Sequence, residues 1–165
     1  MKKFVNIFDL DFTLIDSSHR INAFGDVSYD FDLDFWIENC TYDMIMRDKL
    51  LPLADLCREF QKTNFVNIAM TARVMTFADF EFLRKHELNF DAILHREDSL
   101  ELDHVLKEKK LKELFSVGEY IPFLAFDDKK DNLNIFAKYG FKCIDSDEFN
   151  KKIGVELAVV NDPVR

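Results

Sequence analysis

The chain has 165 residues, 48% of them hydrophobic and 32% charged, which suits one domain with a core of its own and excludes a multidomain machine. With 22 basic against 31 acidic residues the formal charge is -9, so the average field repels nucleic-acid backbones, no sequence-independent phosphate grip is expected and long duplexes are poor candidates for partners. Three cysteines, Cys40, Cys57 and Cys143, lack zinc-site or disulfide spacing and read as reduced thiols of a cytoplasmic protein.

The amino end starts like a signal peptide, with Lys2 and Lys3 before an apolar run, but Asp9 and Asp11 end that run too early. No stretch approaches the roughly 20 apolar residues of a membrane span. Residues 4–8 are therefore read as the first strand. Residues 17–46 break the pattern, with Tyr29, Phe31, Phe35 and Trp36 set among Asp26, Asp30, Asp32, Asp34 and Glu38. They read as a small insertion beside the first strand's end, either a lid packed on the core or an aromatic face for a substrate base. Apolar spacing then predicts a helix over 50–60, a strand over 65–70, a helix over 77–86 and a strand over 91–94. Further on, it predicts a helix over 105–115, a strand over 121–126, a helix over 132–139 and a strand over 141–144. Residues 154–165 form a tail that can add a strand or stay loose. The strand runs are near-continuous rather than alternating, as in a parallel sheet buried on both faces. Strand alternating with helix makes an α/β sandwich whose ligands sit beyond the carboxyl ends of the strands. With 4 Gly, 3 Pro and no linker, residues 1–165 read as a single domain.

Three strand ends carry chemistry. After the first comes Asp9-Leu10-Asp11-Phe12-Thr13; carboxylates two apart on extended backbone face the same way and repel unless a cation or proton separates them. The run at 31–35 repeats these residue types with no strand before it, so position rather than pattern gives Asp9 and Asp11 their weight. The second strand ends Thr71-Ala72-Arg73: a hydroxyl, backbone N–H groups entering the next helix and a guanidinium can hold phosphate oxygens, while Thr71 taken alone reads first as an ordinary helix cap. The fourth ends Asp127-Asp128-Lys129-Lys130-Asp131, a better oxygen cage for a hard metal ion than a helix start requires. Of Lys107, Lys109, Lys110 and Lys112, at most one is expected inside.

Taken together, Asp9-Leu10-Asp11-Phe12-Thr13-Leu14, Thr71, a lysine opening a later helix, and Asp127-Asp128 with Asp131 resemble the four ordered motifs of the haloacid dehalogenase (HAD) superfamily of phosphohydrolases, from residue 4 to about 145. Residues 70–73, 95–98, 103–108 and 126–129 most resemble the phosphatase domain of bacteriophage polynucleotide kinase-phosphatase and related phage nucleotidases. Two departures stand out: Phe12 where many members have Gly, and Ala72 where Gly often precedes the arginine.

The resemblance implies a three-layer Rossmann-like α/β fold, with a central parallel sheet of about five strands and a small insertion instead of a large cap. It implies a Mg²⁺-dependent phosphomonoesterase in which Asp9, ionised, attacks phosphorus and Asp11, protonated at first, serves as acid and then base. The metal would lie among Asp9, the Asp11 backbone carbonyl, Asp127, Asp128 and Asp131. The alignment selects Lys107 as the motif lysine, which with Thr71 and Arg73 would hold the phosphoryl oxygens. The implied substrate is a nucleotide or a terminal phosphate on a polynucleotide, 3′ or 5′, in a host cytoplasm; the negative net charge favours mononucleotides or short ends, with Trp36 or a neighbouring aromatic stacked on the base. Another phosphorylated metabolite is the alternative. A response-regulator-like phospho-acceptor is disfavoured, because the third strand leads into His95-Arg96 and not an acceptor aspartate.

Overall fold

The computed structural model describes residues 2–22, 38, 40–97 and 99–160. In chain order β1 (Lys3–Phe8) leads into a short β2 (Ile15–Asp16) and α1 (Ser18–Asn22), and α2 (Tyr42–Ile45) precedes β3 (Lys49–Leu50) and α3 (Leu53–Gln61). Then follow β4 (Val66–Val74), α4 (Phe77–Lys85), β5 (Ala92–Arg96), α5 (Asp103–Val117), β6 (Tyr120–Asp127), α6 (Lys130–Lys138), β7 (Lys142–Asp145) and α7 (Ser146–Val160). Five strands form one parallel sheet in the order β5-β4-β1-β6-β7, and β2 and β3 make a separate antiparallel pair. The predicted strands and helices are all present. The aromatic stripe of 29–36, including Trp36, and the acidic repeat of 31–35 lie outside the described residues.

Alternate residues of β1 point to two separate cores, which is why its sequence is apolar without alternation. Val5 and Ile7 pack with Ile68, Met70, Leu111 and Phe136. Phe8 packs on the other face with Leu14, Leu53, Phe82 and Phe126. One polar pair interrupts this second layer. Asn6 lies in register with Asn67 across β1 and β4 and donates to its Oδ1 at 3.0 Å. Asn67 in turn donates to the Phe60 and Phe65 carbonyls at 3.2 Å each, satisfying the end of α3.

Two elements differ from the sequence expectation. Strand β4 runs on to Val74, so Thr71 and Arg73 belong to the strand, whose register against β5 shifts between Met70 and Val74. The cap of α4 is Thr76, which forms a capping box with Asp79. The described part of the tail is also not a strand: its residues through Val160 continue α7. That helix starts where the Asp145 carboxylate accepts from the Asp147 and Glu148 amides, and it is pinned by Asn150, which accepts from the Leu53 amide at 2.8 Å and donates to the Thr13 carbonyl at 3.0 Å. Among the described residues, no helix is long and apolar enough to cross a membrane.

Candidate active site

Asp9 follows the central strand directly, and its amide extends the ladder by donating to the Phe126 carbonyl at 3.0 Å. The chain then doubles back. Leu14 and Ile15 donate to the Leu10 carbonyl at 3.0 and 2.9 Å, and Phe12 takes a φ of +58°, in the left-handed region that glycine favours. Phe12 thus keeps the glycine-type backbone although it has a side chain. Thr13, fully buried, shares a 2.8 Å hydrogen bond with Ser146 at the start of α7, which fixes the loop from below. Because of this turn the two acids engage separate partners.

Asp9 faces a buried ammonium. Lys107, only 1% exposed, reaches over from the first turns of α5, with Nζ 2.9 Å from Asp9 Oδ1, 2.7 Å from Asp127 Oδ2 and 3.5 Å from Asp103 Oδ1. The other Asp127 oxygen accepts from the Lys129 amide and from Asn132 Nδ2, each at 2.9 Å. Asn132 also donates to Asp103 Oδ2 at 3.1 Å, and that oxygen receives Lys129 Nζ at 3.0 Å. Burial, reinforced by Asp127, Asp103 and Asp128, raises the Asp9 carboxyl well above its usual range despite Lys107. Burial works against the Lys107 charge, but Asp9, Asp127 and Asp103 outweigh it and raise that amine instead. Asp128 is pushed up to about 6, by burial first and then by Asp127.

Asp11 faces a guanidinium. Arg73 Nε donates to its Oδ2 at 3.1 Å and Nη2 to its Oδ1, while Ser17 Oγ donates to Oδ1 at 2.7 Å. Nη1 of the same arginine bonds Asp79, and Asp48 lies 3.6 Å from Nη2. Arg20 completes the group, donating from Nε and Nη2 to the two Asp48 oxygens at 3.0 and 2.6 Å and from Nη1 to Cys40 Sγ at 3.2 Å. Burial alone would raise the Asp11 carboxyl, but Arg73, Ser17 and Arg20 override it and hold it at about 2. The two acids are therefore shifted in opposite directions, Asp9 upward and Asp11 downward. The cause is the placing of the cations, with Arg73 gripping Asp11 through two nitrogens and Lys107 shared among three acids around Asp9.

The structure brings together Asp9, Lys107, Asp127 and Asp128, and brings Arg73 against Asp11. Thr71 is buried at the same strand end, its Oγ1 accepting from the Arg73 amide at 3.1 Å. Two positions stand apart from the expected roles. Asp131 is exposed and outside the acid cluster; its neighbour Asn132, on the inward side of α6, reaches Asp127 instead. Arg73 is buried with its donors on Asp11 and Asp79 rather than open toward a phosphate.

Carboxylate oxygens of Asp9, Asp127 and Asp128 lie within 4.8 Å of one another. Hard oxygen donors in surplus over the nearby ammonium fit a divalent cation such as Mg²⁺. Sequence reasoning missed Arg20, Asp48, Asp79, Asp103 and Asn132. Asp79 was visible as the third residue after a Thr cap, and Asp103 as the residue one turn before Lys107; Arg20 and Asp48 carry no such spacing signal.

The chain matches the family described as bacteriophage T5 5′-deoxynucleotidase over residues 1–120. It is 30% identical, over 183 aligned positions, to the 5′-deoxynucleotidase of Escherichia phage T5, spanning 96% of this chain and 73% of that protein. Among solved structures it is similar to a haloacid dehalogenase-like hydrolase from Bacteroides fragilis, with a TM-score of 0.61, 19% identity and 86% of each chain covered. A chain of the Pnkp1/Rnl/Hen1 RNA repair complex gives 0.61 at 20% identity, over 87% of this chain and 42% of that one. A haloacid dehalogenase-like family protein from Streptococcus pneumoniae gives 0.58 at 15%, over 86% and 83%. These structures share the fold: a central parallel sheet with helices around it. The chain belongs to the bacteriophage T5 5′-deoxynucleotidase family and is a hydrolase on a haloacid dehalogenase scaffold.

Proposed function

We propose that the chain hydrolyses the 5′-phosphate monoester of 2′-deoxynucleoside monophosphates through an aspartyl-phosphate on Asp9. The observation that carries this reading is the buried triad of Asp9, Lys107 and Asp127, with Lys107 Nζ at 2.9 and 2.7 Å from the two carboxylates, at the carboxyl end of the central strand. The activity named for the phage T5 relative selects the substrate. The two 5′ and deoxy choices come from that relative and not from the pocket.

An Asp9 oxygen attacks phosphorus in line; the bond from phosphorus to the ester oxygen breaks, and the departing alkoxide takes a proton from Asp11. Water then attacks the acyl phosphate, giving its proton to Asp11 and releasing inorganic phosphate with Asp9 restored. Asp11 acquires its first proton in the substrate complex, where the phosphoryl dianion beside it opposes its negative charge. Lys107 neutralises charge on the phosphoryl oxygens, Thr71 holds them, and Arg73 orients Asp11. Asp9, Asp127 and Asp128 would hold Mg²⁺, whose charge, when bound, favours ionised Asp9 and offsets that of the substrate.

The test is phosphate release, with and without Mg²⁺, from 5′- and 3′-mononucleotides in deoxy and ribo forms, phosphorylated oligonucleotides and sugar phosphates. Preferential Mg²⁺-dependent release from 5′-deoxynucleotides is expected. Activity confined to sugar phosphates would overturn the substrate assignment, and full activity in chelator would overturn the metal.

A further inference from the structure

The site end of α4 carries aromatic side chains that are largely exposed. Phe77 is 78% exposed, Phe80 44% and Tyr42 49%, whereas Phe82 of the same helix is fully buried. The helix starts at Thr76, directly after β4, so its first turn stands beside the candidate site. Between the two exposed phenylalanines Asp79 turns inward onto Arg73, the residue that grips Asp11. Residues 77, 80 and 81 lie at i, i+3 and i+4 and share one face. Tyr42, at the start of α2, lies beside that face, close enough for the Glu81 charge to act on its phenol. Phe80 sets its ring edge against His95 near the end of β5, with centroids 6.3 Å apart and planes at 81°.

Helix-first-turn chemistry does not call for an aromatic, and an almost uncovered phenylalanine contributes little to the core. Asp79 ties this helix turn to the candidate site, through its bond to Arg73 and that of Arg73 to Asp11. We infer that Phe77 and Phe80, flanked by Tyr42, stack against the base of the nucleotide whose phosphate is attacked by Asp9; this rests on the nucleotidase reading above. A flat uncharged base suits an aromatic surface, and stacking lets a chain of charge -9 hold a nucleoside without long-range attraction. Ring faces offer no hydrogen-bonding edge, so the four bases should be held nearly alike.

The experiment compares wild type, Phe77→Ala, Phe80→Ala, the double variant and Phe77→Trp on the four 5′-deoxynucleotides and on 2-deoxyribose 5-phosphate, the same leaving group without a base. In wild type, KM should be lower for nucleotides than for the sugar phosphate. The alanine variants should raise KM for all four nucleotides about tenfold, with kcat and the sugar phosphate unchanged, and Phe77→Trp should restore the nucleotide KM. Unchanged nucleotide KM in the double variant, or equal losses on both substrate types, would overturn the stacking surface. Wild type that cleaves the sugar phosphate but no nucleotide would instead overturn the nucleotidase reading.

Discussion

Arg73 meets Asp11 side-on, its Nε at 3.1 Å from one carboxylate oxygen and its Nη2 on the other, while its remaining terminal nitrogen binds Asp79. The pair joins β4 to the loop after β1 across 62 residues of sequence. It sets both the direction and the charge of the group assigned to proton transfer.

Removing Arg73 leaves Asp11, Asp48 and Asp79 without their shared cation. Arg73→Ala should destabilise the fold by about 3–5 kcal/mol, the usual consequence of stripping one partner from buried ion pairs. Turnover should fall at least a hundredfold. Arg73→Lys should recover part of the stability in urea titration but little turnover, because one ammonium cannot reproduce the fork. Wild-type turnover in that lysine variant would contradict the positioning role.

Lys107 and Lys109 lie two positions apart on α5, one buried and the other 59% exposed at its side chain. Lys107→Ala should abolish turnover, while Lys109→Ala should stay within about twofold of wild type, as expected of a solvated surface charge. Steady-state kinetics of the two purified variants decides it.

Asp9→Asn keeps the size of the side chain and removes the nucleophilic oxygen. It should eliminate turnover with an unchanged circular dichroism spectrum. Asp11→Asn should form some aspartyl-phosphate from substrates with good leaving groups, seen as an acid-stable mass increase of one phosphoryl group. Phosphate release by Asp9→Asn at more than a few per cent of wild type would overturn the covalent mechanism.

Asp128 has a folded-state pKa of about 6 against an ordinary 3.8. A carboxyl raised in this way binds its proton more tightly folded than unfolded, so between these values stability falls as pH rises. Asp128→Asn removes that penalty. In metal-free buffer the variant should therefore be the more stable protein at pH 7.5, by on the order of 1–3 kcal/mol, and the difference should vanish near pH 4. Added Mg²⁺ should raise the melting temperature of wild type much more than that of Asp128→Asn. Parallel melting curves across this pH range would refute the assignment.

Apolar runs bounded by acids made β1 and β6 legible in advance, since a strand buried on both faces has little other way to be written. The acids at those strand ends were legible for the same reason. Lys107 was not separable from its neighbours by spacing, because α5 carries several lysines and only its packing against β4 and α6 turns one inward. Arg20 and Asp48 were invisible: the pair joins α1 to the loop before β3 across 28 residues, and no local periodicity encodes such a meeting. The long β4 was missed because Thr71-Ala72-Arg73 reads as the start of a helix until its register with β5 is known. Trailing α7 was missed because Asp145, its cap, stands at the end of a strand and looks like part of it.

The order of strands has a consequence during synthesis. β1 leaves the ribosome first, yet its two neighbours in the sheet are β4 and β6, and Lys107 arrives 98 residues after the aspartate it touches. A nascent chain that stops short of Tyr120–Asp127 therefore lacks one flank of the nucleophile's strand and the acid that shares its lysine. Hydrolytic competence should appear in a single step late in translation, with no partly active precursor, as expected where long-range pairings dominate.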